Sequence, residues 1–349
     1  MRSSYKADDV TLLLKDITGL VNPQPTEERE KLIQTGRHYS EMLPIEYVPT
    51  EKYMEAYQDA LEKYAGATAQ AVGRLSQKIM QKRGKDVVLV SLARAGIPIG
   101  ILVKRYLRAK YQVEVPHYAI SIIRGRGIDD NAMKFLLHKY RPQQLLFVDG
   151  WIGKGAILKE LEKDVAAYAG VSPELAVAAD PANVTDLCGT HEDILIPSSC
   201  LNCTVSGLIS RTFLRDDIIG AEDFHGAVFY EEMKDSDLSY EFIEAIESCF
   251  EMEPGQEREA AAGRGLDEVR EIAGRFAVDD VNLIKPGIGE ATRVLLRRVP
   301  WKVLIDERYR RDRQLEHLVR LAKEKHVPIE YYPLKHYKCC GIIKKLADA

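Results

Sequence analysis

No long apolar run occurs in this sequence. Nothing in its 349 residues approaches the roughly 18 to 20 apolar positions of a membrane span, and the start, MRSSYKADDVTLLLKDI, lacks the apolar core of a secretory signal. The expectation is a cytoplasmic protein with no membrane contact. Cysteine is scarce. The six thiols, Cys188, Cys200, Cys203, Cys249, Cys339 and Cys340, are too sparse for a disulfide scaffold. Neither sign of charge dominates, with 49 Lys and Arg against 53 Asp and Glu and a net charge of -4, so a polybasic coat is excluded and nucleic acid can be met only by a local patch. A Walker phosphate loop is also missing. Only Trp151 and Ile152 separate Gly150 from Gly153, and Gly155 stands after Lys154 where that loop needs a hydroxyl residue.

What is there describes a folded chain long enough for two domains, 46% hydrophobic and 29% charged. Residues 51 to 83 carry apolar positions at helical spacing. After them, apolar stretches at 87 to 93, 115 to 123, 144 to 149 and 174 to 179 alternate with helical patterns, and a later strand falls at 227 to 230. Apolar strands alternating with helices predict a doubly wound, mostly parallel α/β sheet covered on both faces. Ligands bind beyond the carboxyl ends of such strands. The segments gathered there are ARAG (93 to 96), IRGRGID (123 to 129), DGWIGKG (149 to 155) and ADPAN (179 to 183). A charged, Gly- and Ala-containing stretch at 251 to 268 reads as a linker or linker helix. Beyond it, helices at 289 to 298, 312 to 325 and 337 to 346 with strands at 301 to 306 and 328 to 332 predict a second, smaller α/β unit. The domains expected are therefore 1 to 250, a linker at 251 to 280, and 281 to 349.

Three cationic or Gly-rich loops at one sheet edge suit a ligand with more than one phosphate. Gly153, Lys154 and Gly155 offer amides at a helix start, Arg94, Ala95 and Gly96 a guanidinium with a close-approach glycine, and Arg124 and Arg126 two cations on a glycine hinge. SLARAGIPIG and LLFVDGWIGKGA resemble the pyrophosphate and ribose-phosphate loops of type I phosphoribosyltransferases, with Gly150 in place of the second acid. Residues 175 to 214, LAVAADPANVTDLCGTHEDILIPSSCLNCTVSGLISRTFL, are similar to the StiP-type proteins of tellurite-resistance and stress clusters, described both as phosphoribosyltransferase-like and as cysteine proteases. In those proteins the C-terminal unit resembles a Pelota-type RNA-binding domain, and IKPGIGEATRVLL (284 to 296) fits that likeness.

The resemblance implies a transferase that uses phosphoribosyl pyrophosphate and an unknown acceptor, with Mg2+ as cofactor. Asp149 would grip the ribose and Arg124 and Arg126 would close as a lid. Arg94, Ala95, Gly96, Gly153, Lys154, Gly155 and Asp180 would hold the rest of the substrate. Structured RNA would meet Lys285, Gly287, Glu290 and Arg293, helped by arginines at 297, 298, 308, 310, 311 and 313. A non-catalytic nucleotide- or RNA-binding regulator is one rival. The other is a cysteine protease, with His191 as base, Cys200 or Cys203 as nucleophile, and Asp193 or Asp180 orienting the imidazole. Zinc on Cys188, His191, Cys200 and Cys203 is a weak signal, since one C-x-x-C lacks a second pair, and no metal ligands are assigned. His117, on its strand, reads as a satisfied core residue.

Overall fold

The structure, a computed structural model, describes residues 1–257 and 260–345; the last position of the expected helix, the last four of the expected domain, and the Arg297 side chain lie outside the described residues. The N-terminal unit contains β1 (Thr11–Leu12), β2 (Lys15–Asp16), α1 (Thr26–Gln34), α2 (Glu51–Arg83), β3 (Val88–Leu92), α3 (Gly96–Tyr111), β4 (His117–Ile120), β5 (Ile122–Ile123) and β6 (Gly127–Ile128). It continues with α4 (Asp130–Lys139), β7 (Leu145–Trp151), α5 (Ala156–Val165), β8 (Leu175–Ala179), β9 (Cys188–Thr190), β10 (Gly226–Ala227) and α6 (Ser239–Glu247).

Six strands form one sheet in the order β1-β4-β3-β7-β8-β9, and every pairing in it is parallel. Strand alternation explains how it is wound. Leu146, Val148, Ala176 and Ala178 face a core built with α2, α3 and α6, while Leu145, Phe147, Leu175 and Val177 face one built with α4 and α5. Two glycines are demanded by close approach. A Cβ on Gly96 would lie 2.3 Å from the Val148 carbonyl oxygen, and one on Gly189 only 2.0 Å from that of Ala71 in α2. The expected strand at 227 to 230 is shorter and stands outside this sheet, with β10 paired to β2.

The C-terminal unit comprises α7 (Gly265–Arg275), β11 (Ile284–Pro286), α8 (Ile288–Arg297), β12 (Pro300–Ile305), α9 (Glu316–Glu324), β13 (Ile329–Tyr331) and β14 (Cys339–Ile343), with sheet order β11-β14-β12-β13. Two expectations are corrected here. The span 337 to 346 is not a helix, because residues 339 to 343 form the strand β14, antiparallel to both neighbours and buried throughout. A run buried on both faces has no polar period, so strand and helix look alike in sequence. The span 251 to 280 is not all linker, because Val269 and Ile272 of α7 pack on Leu304, Cys340 and Ile342. Across the joint the apolar core is continuous, with Ile288, Leu295, Leu318 and Leu321 in the same cluster as Tyr57 and Tyr64 of α2. Among the described residues no helix is long and apolar enough to cross a membrane.

Candidate functional site

The loops read as phosphate binders are largely occupied by the chain itself. Lys154 Nζ donates to the carbonyls of Val281 at 2.6 Å and Ile284 at 3.0 Å, and the Tyr337 hydroxyl donates to the Gly153 carbonyl at 2.7 Å. The turn therefore latches the C-terminal unit to the sheet edge, and burial lowers the Lys154 ammonium to about 8. Gly155 is the N-cap of α5. Asp149 accepts from the amide of its neighbour Gly150 at 2.7 Å, and burial raises its carboxyl to about 7. Arg94 pairs with Glu46 at 2.9 Å and donates to the Ile209 carbonyl at 3.0 Å. Arg126 pairs with Glu41 at 2.6 Å and Arg124 donates to Asn282 at 3.1 Å, so the β5–β6 hairpin is tied down at two points and is not a free lid.

The start of α8 is likewise engaged from within at one amide. Asp193, on the loop after β9, accepts from the Ile288 amide at 3.0 Å and from the Lys338 amide at 2.9 Å, and its carboxylate oxygen would lie 3.1 Å from a Cβ on Gly287. One of the N-terminal amides of α8, that of Ile288, thus already has a carboxylate as its acceptor. Lys285, Glu290 and Arg293 face the N-terminal unit, and the Arg293 guanidinium lies over Trp151 at 5.9 Å. Together with Arg94 and Ala95 they line one cleft between the units.

The thiols separate clearly. Cys203 is buried with its sulfur 3.4 Å from that of Met233, and burial raises its thiol to about 12. Cys200 is buried in the main core on the turn Pro197–Cys200. Cys339 and Cys340 are fully buried on β14. His117 is a satisfied core residue, its ring nitrogens 2.7 Å from Ser91 Oγ and 2.8 Å from the Asp9 carbonyl.

Cys188 is the thiol beside His191. It opens β9, three residues before the imidazole, and its sulfur lies 3.3 Å from Nε2 and 3.7 Å from Nδ1. Nδ1 is 2.9 Å from the Asp180 carbonyl; a carbonyl only accepts, so Nδ1 carries the proton and Nε2 keeps its lone pair. The Asp180 carboxylate, 3.8 Å from Nδ1, is held by the amides of Val184 and Thr185 at 2.7 and 2.8 Å. Glu257 accepts from the His191 amide at 3.0 Å and is fixed by Lys78 at 2.8 Å. Burial raises the Cys188 thiol to about 12, with Lys78 opposing and Glu257 and Asp180 adding to it.

The structure thus brings Cys188 beside His191, whereas the sequence reading had paired the imidazole with Cys200 or Cys203. Asp193, one of the two orienting acids considered, is engaged at α8. The same atoms of Cys188, His191 and Glu257 lie within 4.8 Å of one another, a sulfur, nitrogen and oxygen set of the kind that holds zinc. Glu257 went unread because it sits in a segment with no period to place it. The Cys188-x-x-His191 spacing was the available signal.

Comparison with known proteins gives a consistent family. Residues 3–247 match the model of the tellurite-like stress resistance cysteine protease StiP, and residues 263–345 match that of the PELOTA RNA binding domain. Cysteine protease StiP of Acinetobacter baylyi is 34% identical over 366 aligned positions, covering 98% of this chain and 94% of that one. A solved structure of HGPRT-ase from Leishmania tarentolae in complex with GMP aligns at 14% identity over 36% of this chain and 71% of that chain, with a TM-score of 0.26, which is too slight to carry an argument. The transferase expected from the loop resemblance is thereby overturned: family and relative both carry the description of a cysteine protease. With the first match spanning well over half of the sequence and the relative aligned along nearly all of it, the chain belongs to the StiP family.

Proposed function

We propose that the chain is a cysteine-dependent peptide hydrolase with Cys188 as nucleophile and His191 as general base. The 3.3 Å separation of Cys188 Sγ and His191 Nε2 carries the reading. At rest the thiol is protonated, because burial holds it near 12, so its proton moves to Nε2 as sulfur attacks the scissile carbonyl. The imidazolium formed is steadied by the Asp180 carbonyl and by the Asp180 carboxylate. Breaking the C–N bond leaves a thioester on Cys188, and the amine departs with the proton from Nε2. His191 Nε2 then takes a proton from a water that attacks the thioester, the C–S bond breaks, the same proton passes to sulfur, and the acid is released. Cys188 is fully buried, so a peptide reaches it only when its cover opens, and Glu257, pinned by Lys78, is part of that cover. Casein or a quenched peptide pool tests this: Cys188→Ser abolishes cleavage and Cys200→Ser leaves most of it. The reverse pattern moves the nucleophile to Cys200.

The PELOTA match supports a second activity, RNA contact through the C-terminal unit. The face that fits is the segment 308 to 313, where Arg308, Arg310, Arg311 and Arg313 are exposed and the Arg310 guanidinium lies 4.7 Å from the ring of exposed Tyr331. A guanidinium stacked on an aromatic beside further arginines suits RNA phosphates and splayed bases. Filter binding to a structured RNA should weaken steeply with salt and fall on Arg311→Ala with Arg313→Ala.

A further inference from the structure

The cleft between the units holds about 840 Å3, within the range of small-ligand sites. Among its described lining residues six are cationic, Arg29, Arg94, Arg211, Lys285, Arg293 and Arg298, against two carboxylates, Glu46 and Glu290. Those carboxylates are already committed, Glu46 to Arg94 at 2.9 Å and Glu290 to Arg293 at 3.3 Å. Two of the cations are incompletely satisfied. Among the described residues, Lys285 Nζ has no hydrogen bond and no ion pair. Arg211 spends its Nη2 on the carbonyls of Tyr39 and Met42, at 2.8 and 3.1 Å, while its buried Nε has no partner.

Burial and mutual repulsion act against the charged forms here. Arg211 is lowered to about 10 by burial, with Arg29 and Arg94 adding to it, and Lys285 is lowered mainly by burial, with Glu290 opposing and Arg298, Arg124 and Arg293 reinforcing. Desolvated like charges facing one cavity cost free energy unless an anion neutralises them. The cavity also draws its walls from both units, so whatever fills it bridges them.

We propose that this cleft binds a small ligand bearing a polyphosphate chain, with Lys285 and Arg211 taking its phosphoryl oxygens. The excess of four cations over carboxylates in the lining matches a ligand of about that charge, and a guanidinium with a free Nε and an unpaired ammonium are the donors a phosphoryl group uses. Exposed Tyr47 at the rim offers a face on which a ring attached to the chain can lie. The site stands apart from the Cys188 reading, since none of its lining residues belongs to the thiol cluster, and it stands or falls without it.

Titration calorimetry on the full chain tests it, with inorganic tripolyphosphate and ATP as probes in low-salt buffer. Both probes should bind one per chain, and Lys285→Ala and Arg211→Ala should each weaken them about tenfold or more. Tighter binding of ATP than of tripolyphosphate assigns a role to the ring, and equal binding assigns the site to the chain alone; either result supports the cleft. If neither probe binds at millimolar concentration, or if binding is undiminished in both folded variants, the proposal is overturned. It is also overturned if a 5′-phosphorylated RNA 12-mer binds more than tenfold tighter than ATP and loses affinity with the same two variants, since the cleft then serves a polymer.

Discussion

Asp193 of the N-terminal unit caps α8 of the C-terminal unit, its carboxylate accepting the Ile288 amide at 3.0 Å and the Lys338 amide at 2.9 Å. One buried side chain thus satisfies two amides that would otherwise be orphaned across the joint. Asp193→Ala should destabilise the full chain by roughly 1 to 3 kcal/mol, because two donors lose their acceptor in a buried place. Urea unfolding measures it, and Asp193→Asn, which keeps an acceptor oxygen, should fall between the two.

The C-terminal unit should need α7. Val269 and Ile272 are fully buried against Ile284, Leu304 and Ile342, so a fragment beginning at 263 should unfold cooperatively, while one beginning at 276 should expose that face and lose its sharp transition. Circular dichroism during heating of the two fragments distinguishes them.

Asp149 should set part of the acid stability profile. Its carboxyl retains some surface yet is enclosed enough that burial raises it from 3.8 to about 7. A carboxyl raised on folding stabilises the fold while protonated, so its contribution is full below 3.8 and is lost as pH rises through about 7. Asp149→Asn should flatten the decline in melting temperature across that interval, read by scanning fluorimetry from pH 4 to 8.

Glu257 should restrain the nucleophile. Its negative charge helps hold the Cys188 thiol up, so Glu257→Gln should raise the thiolate fraction and speed alkylation of Cys188 at pH 8, while Lys78→Met should slow it. Peptide-resolved mass spectrometry after timed iodoacetamide treatment gives both rates.

Much of the scaffold was legible because its signals are local. The long helix α2 and the strands β3, β7 and β8 declare themselves through period and apolar runs, and their alternation fixes the doubly wound sheet. Where residues answer to distant partners, the sequence does not name those partners. Lys154 and Gly287 look like anion binders, yet Lys154 donates to the carbonyls of Val281 and Ile284, and the Gly287 amide donates to the carbonyl of Cys339. The three-residue spacing of Cys188 and His191 is a signal too weak to choose between Cys188 and Cys200; the register of β9 beside β8 decides which thiol meets the imidazole, bringing Cys188 opposite Val177 and the imidazole back to Asp180. The strand β14 hid because burial on both faces erases the period that would have named it.

The central claim is that Cys188 forms the covalent intermediate. A peptide vinyl sulfone forms a stable thioether with an attacking thiol, so treating the full chain with it and mapping the adduct by mass spectrometry tests the claim most directly. The account predicts one adduct on Cys188, lost in His191→Ala and insensitive to a chelator that would strip a metal from Cys188, His191 and Glu257. An adduct on Cys200 or Cys203 with Cys188 unmodified, or labelling of Cys188 that is unchanged in His191→Ala, would contradict it.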